Sequence, residues 1–315
     1  MNISIIIPNY NGEDLLRKNL PKVIKIAESY KKGNIEIIVI DDCSTDNSIK
    51  TIQSLTQITG LNRKINLKII QNEKNLGFSP TVNKAAKEAT GEVLVLLNTD
   101  VLPEEFFLEP LIKNFDDNKV FAVGCMDKSI EDGKTVFRGR GLGKWEKGFL
   151  IHRKGEVSKN NTLWVNGGSG AFRRSIWNKL SGFNELYAPF YWEDIDLSYR
   201  ALKSGYRVLF EPKSIVIHEH EKGAIKSKYS DFEIKVISYK NQFIFVWENA
   251  TDLDLQFLHI IWLPYHFVKA FLRRDWASFL GFFKAFILLP KIIQSSFKAQ
   301  KMFVKTDYEV IKEFE

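Results

Sequence analysis

The first hundred residues alternate short apolar runs with amphipathic stretches. Residues 3–8 (ISIIIP), 36–40, 67–71 and 93–97 carry Ile, Val and Leu almost without interruption. Runs of that length between polar punctuation suit strands buried on both faces of a parallel sheet. Between them, residues 15–30, 47–55 and 81–89 space their apolar residues at helical intervals, with charged side chains in the gaps. Ser44 or Asp46 can cap the second of these helices, and Gly91 follows the third as a stop signal. Strands alternating with helices of this length predict βαβ units with right-handed crossovers, hence an α/β fold.

Two of the strands end abruptly in acids and amides, at residues 35–46 (IEIIVIDDCSTD) and 93–100 (VLVLLNTD). Carboxylates at the carboxyl ends of such strands sit where open α/β sheets bind ligands. Two ends of this kind can converge on one crevice and offer acceptors for a base, a sugar hydroxyl or a divalent cation. The pattern points to a nucleotide-handling enzyme.

The pattern is less regular from residue 120 to 161. Its glycine-rich segment 139–143 (GRGLG) lacks the strand before and the helix after that a phosphate loop requires, and reads as a hairpin or loop. Residues 164–172 (WVNGGSGAF) read as strand, glycine turn and strand. A helix over 175–180 is broken by Gly182-Phe183, and another opens at 192–196 (WEDID). Residues 215–218 (IVIH) form one more strand end.

Beyond about residue 223 the acidic strand ends disappear and aromatic and basic residues dominate. Segments 257–271 and 276–293 carry large apolar residues almost all round, broken by Pro264, Arg273-Arg274-Asp275 and Lys284. No stretch reaches the uninterrupted length of about 18 apolar residues that a membrane span needs. The reading is a domain over residues 1–223 followed by a helical, aromatic and basic extension over 224–315. That extension suits the membrane interface, with its cations facing anionic lipid; the plain alternative is a helical hairpin packed on the main domain. The formal charge of +7 over 315 residues favours an anionic partner. The extension's aromatics are clustered rather than displayed singly among cations, which argues against nucleic acid. Two cysteines, Cys43 and Cys125, are too few for a disulfide framework or zinc cluster. The chain opens directly on a strand, without a basic leader, so a cytoplasmic protein, peripheral on the inner face of the cell membrane, is expected.

The ordered set IIIPNYN, VIDDCSTD, NLGFSPTVN, LLNTD, GGSGAFRR and YWEDIDLSYR resembles the family 2 glycosyltransferases, particularly single-addition, rhamnosyltransferase-like members. The resemblance covers about residues 1–220. It implies a GT-A fold, a Rossmann-like mixed sheet flanked by helices, here with a C-terminal helical extension. It also implies a nucleotide-diphosphate sugar donor, a divalent metal (Mg²⁺ or Mn²⁺) and inversion at the anomeric carbon.

Each motif has a physical reading beside that resemblance. Pro8, Asn9 and Tyr10 follow a strand end, where backbone amides and an aromatic face can receive a base. Asp41 and Asp42 can accept hydrogen bonds from base and ribose, and by resemblance Asp42 reads the base. Asn75 and Gly77 allow close backbone approach to the donor, and Asn83 faces inward to orient that loop. Asn98 and Asp100 occupy the family's D-x-D position, with Asn98 replacing the first aspartate. Asp100 is then the anionic metal ligand, and Asn98 meets a ribose or sugar hydroxyl. Gly167 and Gly168 form a loop under the sugar and acceptor.

Helical rise brings Glu193 and Asp196 to one side and turns Asp194 to another. By resemblance Asp194 is the general base that deprotonates the acceptor hydroxyl, with Glu193 as second choice. His218 matches the family's histidine near the metal and diphosphate, and suits that role better than His220. The processive pattern Q-x-x-R-W is absent, so transfer of one or a few sugars to a glycan or lipid-linked acceptor is expected. The competing reading is a catalytically silent nucleotide-sugar-binding scaffold subunit.

Overall fold

The computed structural model describes residues 1–58, 65–131, 134–218 and 228–314. The four apolar runs form strands β1 (Ile3–Asn9), β2 (Ile35–Asp41), β3 (Ile65–Gln71) and β4 (Val93–Leu97). Helices α1 (Glu13–Ser29), α2 (Ser48–Ile58) and α3 (Phe78–Glu88) connect them. All four strands run parallel, in the order β3-β2-β1-β4. Their side chains alternate between two cores, as the two-residue period of a strand requires. Ile3, Ile5 and Ile7 join Ile37, Val39, Val93 and Val95 on the face covered by α1, while Ile6, Ile38, Ile40, Leu94 and Leu96 join α3 on the other. Along α1, Leu16, Leu20, Val23, Ile24 and Ala27 form the buried stripe.

The sheet becomes mixed beyond β4. Strand β5 (Val101–Pro103) and helix α4 (Leu108–Lys113) lead to β6 (Val120–Glu131) and its antiparallel neighbour β7 (Lys134–Arg138). A separate hairpin of β8 (Gly141–Glu146) and β9 (Phe149–Lys154) turns at Lys147 and Gly148, both with positive φ, as a two-residue hairpin turn demands. The segment 139–143, read as a hairpin or loop, contains the start of this hairpin's first strand. Of the strand, turn and strand expected over 164–172, the turn and the second strand form, the latter being β10 (Ser169–Arg173), antiparallel to both β4 and β6. The preceding residues are held in a turn by Asn166, whose backbone and side-chain oxygens accept from the amides of Ser169 and Gly168.

After α5 (Arg174–Lys179) and α6 (Glu193–Lys203), strand β11 (Arg207–His218) runs parallel to β6 and antiparallel to β5. The expected boundary at 223–224 lies outside the described residues. Beyond it come α7 (Asp231–Asn249), α8 (Leu253–Leu272), α9 (Trp276–Ile287), α10 (Leu289–Gln300) and α11 (Asp307–Ile311). These helices share a core with α6: Phe243, Phe245, Ala285, Ile292, Val310 and Phe314 pack in the same buried cluster as Leu197, Tyr199 and Leu202.

The C-terminal segment is also tied to α6 by charge. The Lys203 ammonium and Asp307 carboxylate are fully buried and 2.8 Å apart. Lys203 also donates to the carbonyl of Asn249 and the hydroxyl of Thr251, and Asp307 accepts from the Tyr199 hydroxyl and the amides of Thr251 and Asp252. A buried pair satisfied on both sides specifies its geometry, and removing one partner strands the other. Asp307→Ala is therefore expected to cost about 3–5 kcal/mol of stability in urea unfolding. A loss below about 1 kcal/mol would mean that the tail does not hold α6 in this way.

Candidate active site

The sheet gathers its polar strand ends at one edge. Asn9 and Asp41 end paired strands, Ser169 starts opposite Leu97, and His218 pairs with Val101 next to Asp100. A cleft of about 670 Å³ opens over this edge. Pro8, Asn9, Tyr10, Asp42, Asn75, Gly77, Asn98, Asp100, Gly167, Gly168, Glu193 and Asp194 line it. So do Tyr191 and an aromatic cluster in which the His152 ring meets Trp164 and Trp192.

The two neighbouring aspartates divide their work, because successive side chains leave a strand in opposite directions. Asp42 faces the cleft and fixes its floor: Oδ1 accepts from Asn72 Nδ2 and the Leu76 amide, and Oδ2 from the Gly77 amide, each at 2.8 Å. A carboxylate has about four acceptor positions, so one on Oδ2 is still open to a ligand. Asp41 does not line the cleft, which corrects its expected place in the binding site. Its oxygens close the β2 turn by accepting from Asn9 Nδ2 at 2.7 Å and from the amide and hydroxyl of Ser44 at 2.9 and 2.5 Å.

Gly77 has φ of +85°, a conformation in which a side chain is strained, and it starts α3 at the cleft wall. Asn83 is likewise not a cleft residue. It pins the segment before α6, donating to the carbonyl of Phe183 at 2.8 Å and accepting from the Phe183 amide at 3.0 Å. Gly168 needs its missing side chain, since a Cβ there would lie 2.4 Å from Asn98 Nδ2.

Tyr191 and Trp192 enter α6 with consecutive positive φ values of 71° and 75°. Side chains pay of order 1–3 kcal/mol in that region, so the surroundings must impose it. Asn241, fully buried on α7, does so by donating to the carbonyls of Tyr187, Phe190 and Tyr191. Lys240 adds a bond to the carbonyl of Ala188. This turn aims Asp194 into the cleft, where its carboxylate accepts from the Ile195 amide at 2.8 Å and faces the Gly167 amide at 3.4 Å. Burial raises the Asp194 pKa to about 6. Glu193 lies behind it, buried, with Oε2 lacking a partner; burial and the Asp194 charge hold its pKa well above the carboxylate range.

Asp100 lines the cleft; His218 does not, but its Nε2 lies 3.3 Å from Asp100 Oδ2. Burial alone would lower the His218 pKa, but the carboxylates of Asp100 and Asp127 outweigh it and raise the value to about 9. A carboxylate oxygen and an imidazole nitrogen this close are a donor set that would suit a divalent cation. Among the described residues no group of three His, Cys, Asp or Glu converges to hold a metal by itself. Mg²⁺ acting with nucleotides is commonly held by only one or two protein carboxylates together with substrate phosphates, so a small protein donor set would suffice. His220 lies outside the described residues.

Sequence reasoning missed Asn241, Asp127 and Lys228. The Lys228 ammonium lies over the Tyr10 ring, 4.7 Å from its centre, and 3.4 Å from Asn75 Oδ1. The only local signal for Asn241 is an amide inside the apolar run of α7, and Lys228 is one cation in a basic stretch.

The family model described as glycosyl transferase family 2 matches residues 4–180. An O-antigen chain rhamnosyltransferase of Salmonella typhimurium is 25% identical over 226 residues, which cover 70% of this chain and 67% of the relative. A probable glycosyltransferase of Bacillus subtilis is 26% identical over 219 residues, 68% of this chain and 49% of the relative. The chain thus spans about two thirds of the first and half of the second. Among solved structures, residues 1–349 of Staphylococcus aureus TarS with UDP-GlcNAc superpose with a TM-score of 0.59 at 19% identity, over 100% of this chain and 90% of that one. A mannosyltransferase from Pyrobaculum calidifontis with GDP-Man and Mn²⁺ gives 0.58 at 17% identity, over 95% and 85%. The expected fold is confirmed: the mixed sheet and its helices are those of a GT-A glycosyltransferase.

A carboxyl whose folded pKa of about 6 exceeds the ordinary 3.8 binds more protons folded than unfolded between those values. Its contribution to stability is therefore lost as pH rises through that window. Asp194→Asn is expected to stabilise the protein at pH 7.5 by about 1–2 kcal/mol, a figure discounted for the partial exposure of Asp194 on the cleft wall. The gain should narrow at pH 5. A variant less stable than wild type at pH 7.5 in urea unfolding would contradict this account of the site.

Proposed function

The chain belongs to glycosyl transferase family 2, and from that premise we propose that it moves a hexose or deoxyhexose from a nucleotide-diphosphate sugar to an acceptor hydroxyl, with inversion at the anomeric carbon. The observation that carries the mechanism is Asp194, aimed into the cleft, with a pKa raised to about 6. At neutral pH that carboxylate is ionised, yet more basic than an ordinary aspartate, which suits proton abstraction. It takes the proton of the acceptor hydroxyl; the oxygen forms its bond to the anomeric carbon as the bond to the leaving phosphate oxygen breaks. Beside it, burial and the Asp194 charge hold the Glu193 pKa well above the ordinary carboxylate range.

The donor lies at the polar strand ends. The Tyr10 ring receives the base, Asp42 accepts from a base N–H, and the backbone at Gly77 allows close approach. Asn98 meets a ribose or sugar hydroxyl. Asp100 and His218 would hold a divalent cation, Mg²⁺ or Mn²⁺, which would supply positive charge beside the leaving diphosphate. Two similar structures, named as complexes with Mn²⁺ and UDP or GDP-Man, support that donor and metal. Asp194→Asn is expected to lower transfer by at least 10²-fold while nucleotide diphosphates still raise its melting midpoint as in wild type. Normal turnover by this variant would remove Asp194 from the role of base.

The acceptor is a glycan or lipid-linked intermediate, and transfer is of one sugar or a few. The protein works in the cytoplasm, on the inner face of the cell membrane, and its C-terminal helices rest on anionic lipid. Phe257, Ile260, Phe271, Leu272, Trp276, Phe283, Phe286 and Phe297 are exposed on α8 to α10, with Lys269, Lys284, Lys291 and Lys298 on the same helices and Arg273-Arg274 in the turn between α8 and α9. An apolar face interleaved with cations matches an anionic interface. No single helix among the described residues is long and apolar enough to cross a membrane, and α9 and α10 together bend by 67°. The protein is expected to sediment with vesicles containing phosphatidylglycerol, and Phe283→Glu/Phe286→Glu should release it without changing the melting midpoint. Equal sedimentation of variant and wild type, or preference for RNA over vesicles, would overturn this reading.

A further inference from the structure

Three adjacent strands bring together a row of groups that the mechanism uses only in part. Asp100 precedes β5, His218 ends β11, and Asp127 lies on β6. In the sheet, His218 pairs with Val101 on one side and with Ser129 on the other. The imidazole consequently stands between two carboxylates: Nε2 is 3.3 Å from Asp100 Oδ2, and Nδ1 is 3.3 Å from Asp127 Oδ2. Asp100 lines the cleft and Asp127 does not. Asp127 is buried, and its other oxygen accepts from the hydroxyl of the fully buried Ser129 at 2.9 Å.

We propose that Asp127 is a positioning residue that orients His218, so that the imidazole presents Nε2 to a divalent cation shared with Asp100. This rests on the metal reading given above and adds to it the group that sets the ring's direction and tautomer. A neutral imidazole carries one proton. With Asp127 accepting from Nδ1–H, that proton is fixed on the nitrogen facing Asp127, and the lone pair of Nε2 is left on the side of Asp100. Ser129 limits rotation of the Asp127 carboxylate and so keeps its second oxygen on the ring. Carboxylate partners of this kind fix the orientation of a ligating histidine and raise its basicity, and their loss typically weakens metal binding by about 10–100-fold.

The test measures Mn²⁺ binding by electron paramagnetic resonance, with Mn²⁺ alone and with UDP or GDP present. It compares wild type, His218→Ala, Asp127→Ala and the isosteric Asp127→Asn. Asp127→Ala is expected to weaken Mn²⁺ by about 10–100-fold. Asp127→Asn, which keeps an acceptor oxygen but loses the charge, should lose less. Nitrogen-15 NMR of the Mg²⁺-loaded wild type should find the His218 proton on Nδ1. Thermal midpoints identify a variant that fails to fold, in which case the isosteric one carries the comparison. Wild-type Mn²⁺ affinity in the folded Asp127 variants would overturn the role of Asp127 alone; a proton on Nε2 would overturn it together with His218 as a ligand. Absence of Mn²⁺ binding by wild type with either nucleotide would overturn the metal reading together with it.

Discussion

The site depends on how the first turns of α6 accommodate charge away from water. Glu193, Asp194 and Asp196 all lie at its start, and an ionised carboxylate in a dry interior costs several kcal/mol unless it is paired. Asp196 is fully buried and paired with Arg200 at 2.7 Å. Arg200 in turn donates to the carbonyls of Leu180 and Gly182, so the guanidinium ties α6 to the segment after α5. Asp196 also accepts from Asn249 at the end of α7 and from the Tyr187 hydroxyl, which touches Glu248 as well. Burial and the neighbouring Asp196 raise the Glu248 pKa to about 8, which keeps that carboxyl protonated and relieves the like charge. With Asp196 anchored inward, helical geometry turns Asp194 outward to the cleft.

This arrangement gives the C-terminal helices two roles. Their inner faces complete the core around α6 and supply Lys240, Asn241, Glu248, Asn249 and Asp307 to its polar contacts. Their outer faces leave large apolar side chains in solvent. The hairpin of β8 and β9 is fastened to the same helices, since His259 and His266 meet the carbonyls of Gly148 and Lys147. A Cβ on Gly148 would lie 2.5 Å from the Cα of His259, so the hairpin tip and α8 are in close backbone contact. One layer thus supports both the turn into α6 and, through the hairpin, the His152 side of the cleft.

Stability is given up where the chemistry is expected. Tyr191 and Trp192 hold strained backbone angles, Glu193 Oε2 is buried without a partner, and Asp194 is more basic than an exposed aspartate. Each is unfavourable locally and persists only because Asn241 and Lys240 over-determine the loop from another helix. Such concentrations of strain and shifted ionisation are characteristic of sites that act on a ligand rather than merely pack.

Much of the fold was legible in the chain because its signals are local. Strand β4 occupies the residues its apolar run predicts, the first three strands extend their predicted runs by one or two residues, and the alternation of strand and helix identified the parallel half of the sheet. Polar strand ends located the cleft, and the order of six short motifs identified the family. Whether Asp41 or Asp42 meets the cleft, and whether Asn83 faces ligand or loop, was not legible, because each depends on partners distant in sequence: Asn83 bonds to a residue 100 positions away. The support of Asp194 by Asn241, the seating of Asp307 under α6 and the meeting of Asp100, His218 and Asp127 belong to the same class. Sequence alone determined the periodicities and turn chemistry, which act over a few residues. Only the tertiary structure decided which polar groups are removed from water together, and that sets their pairing, their ionisation and the direction in which each side chain points.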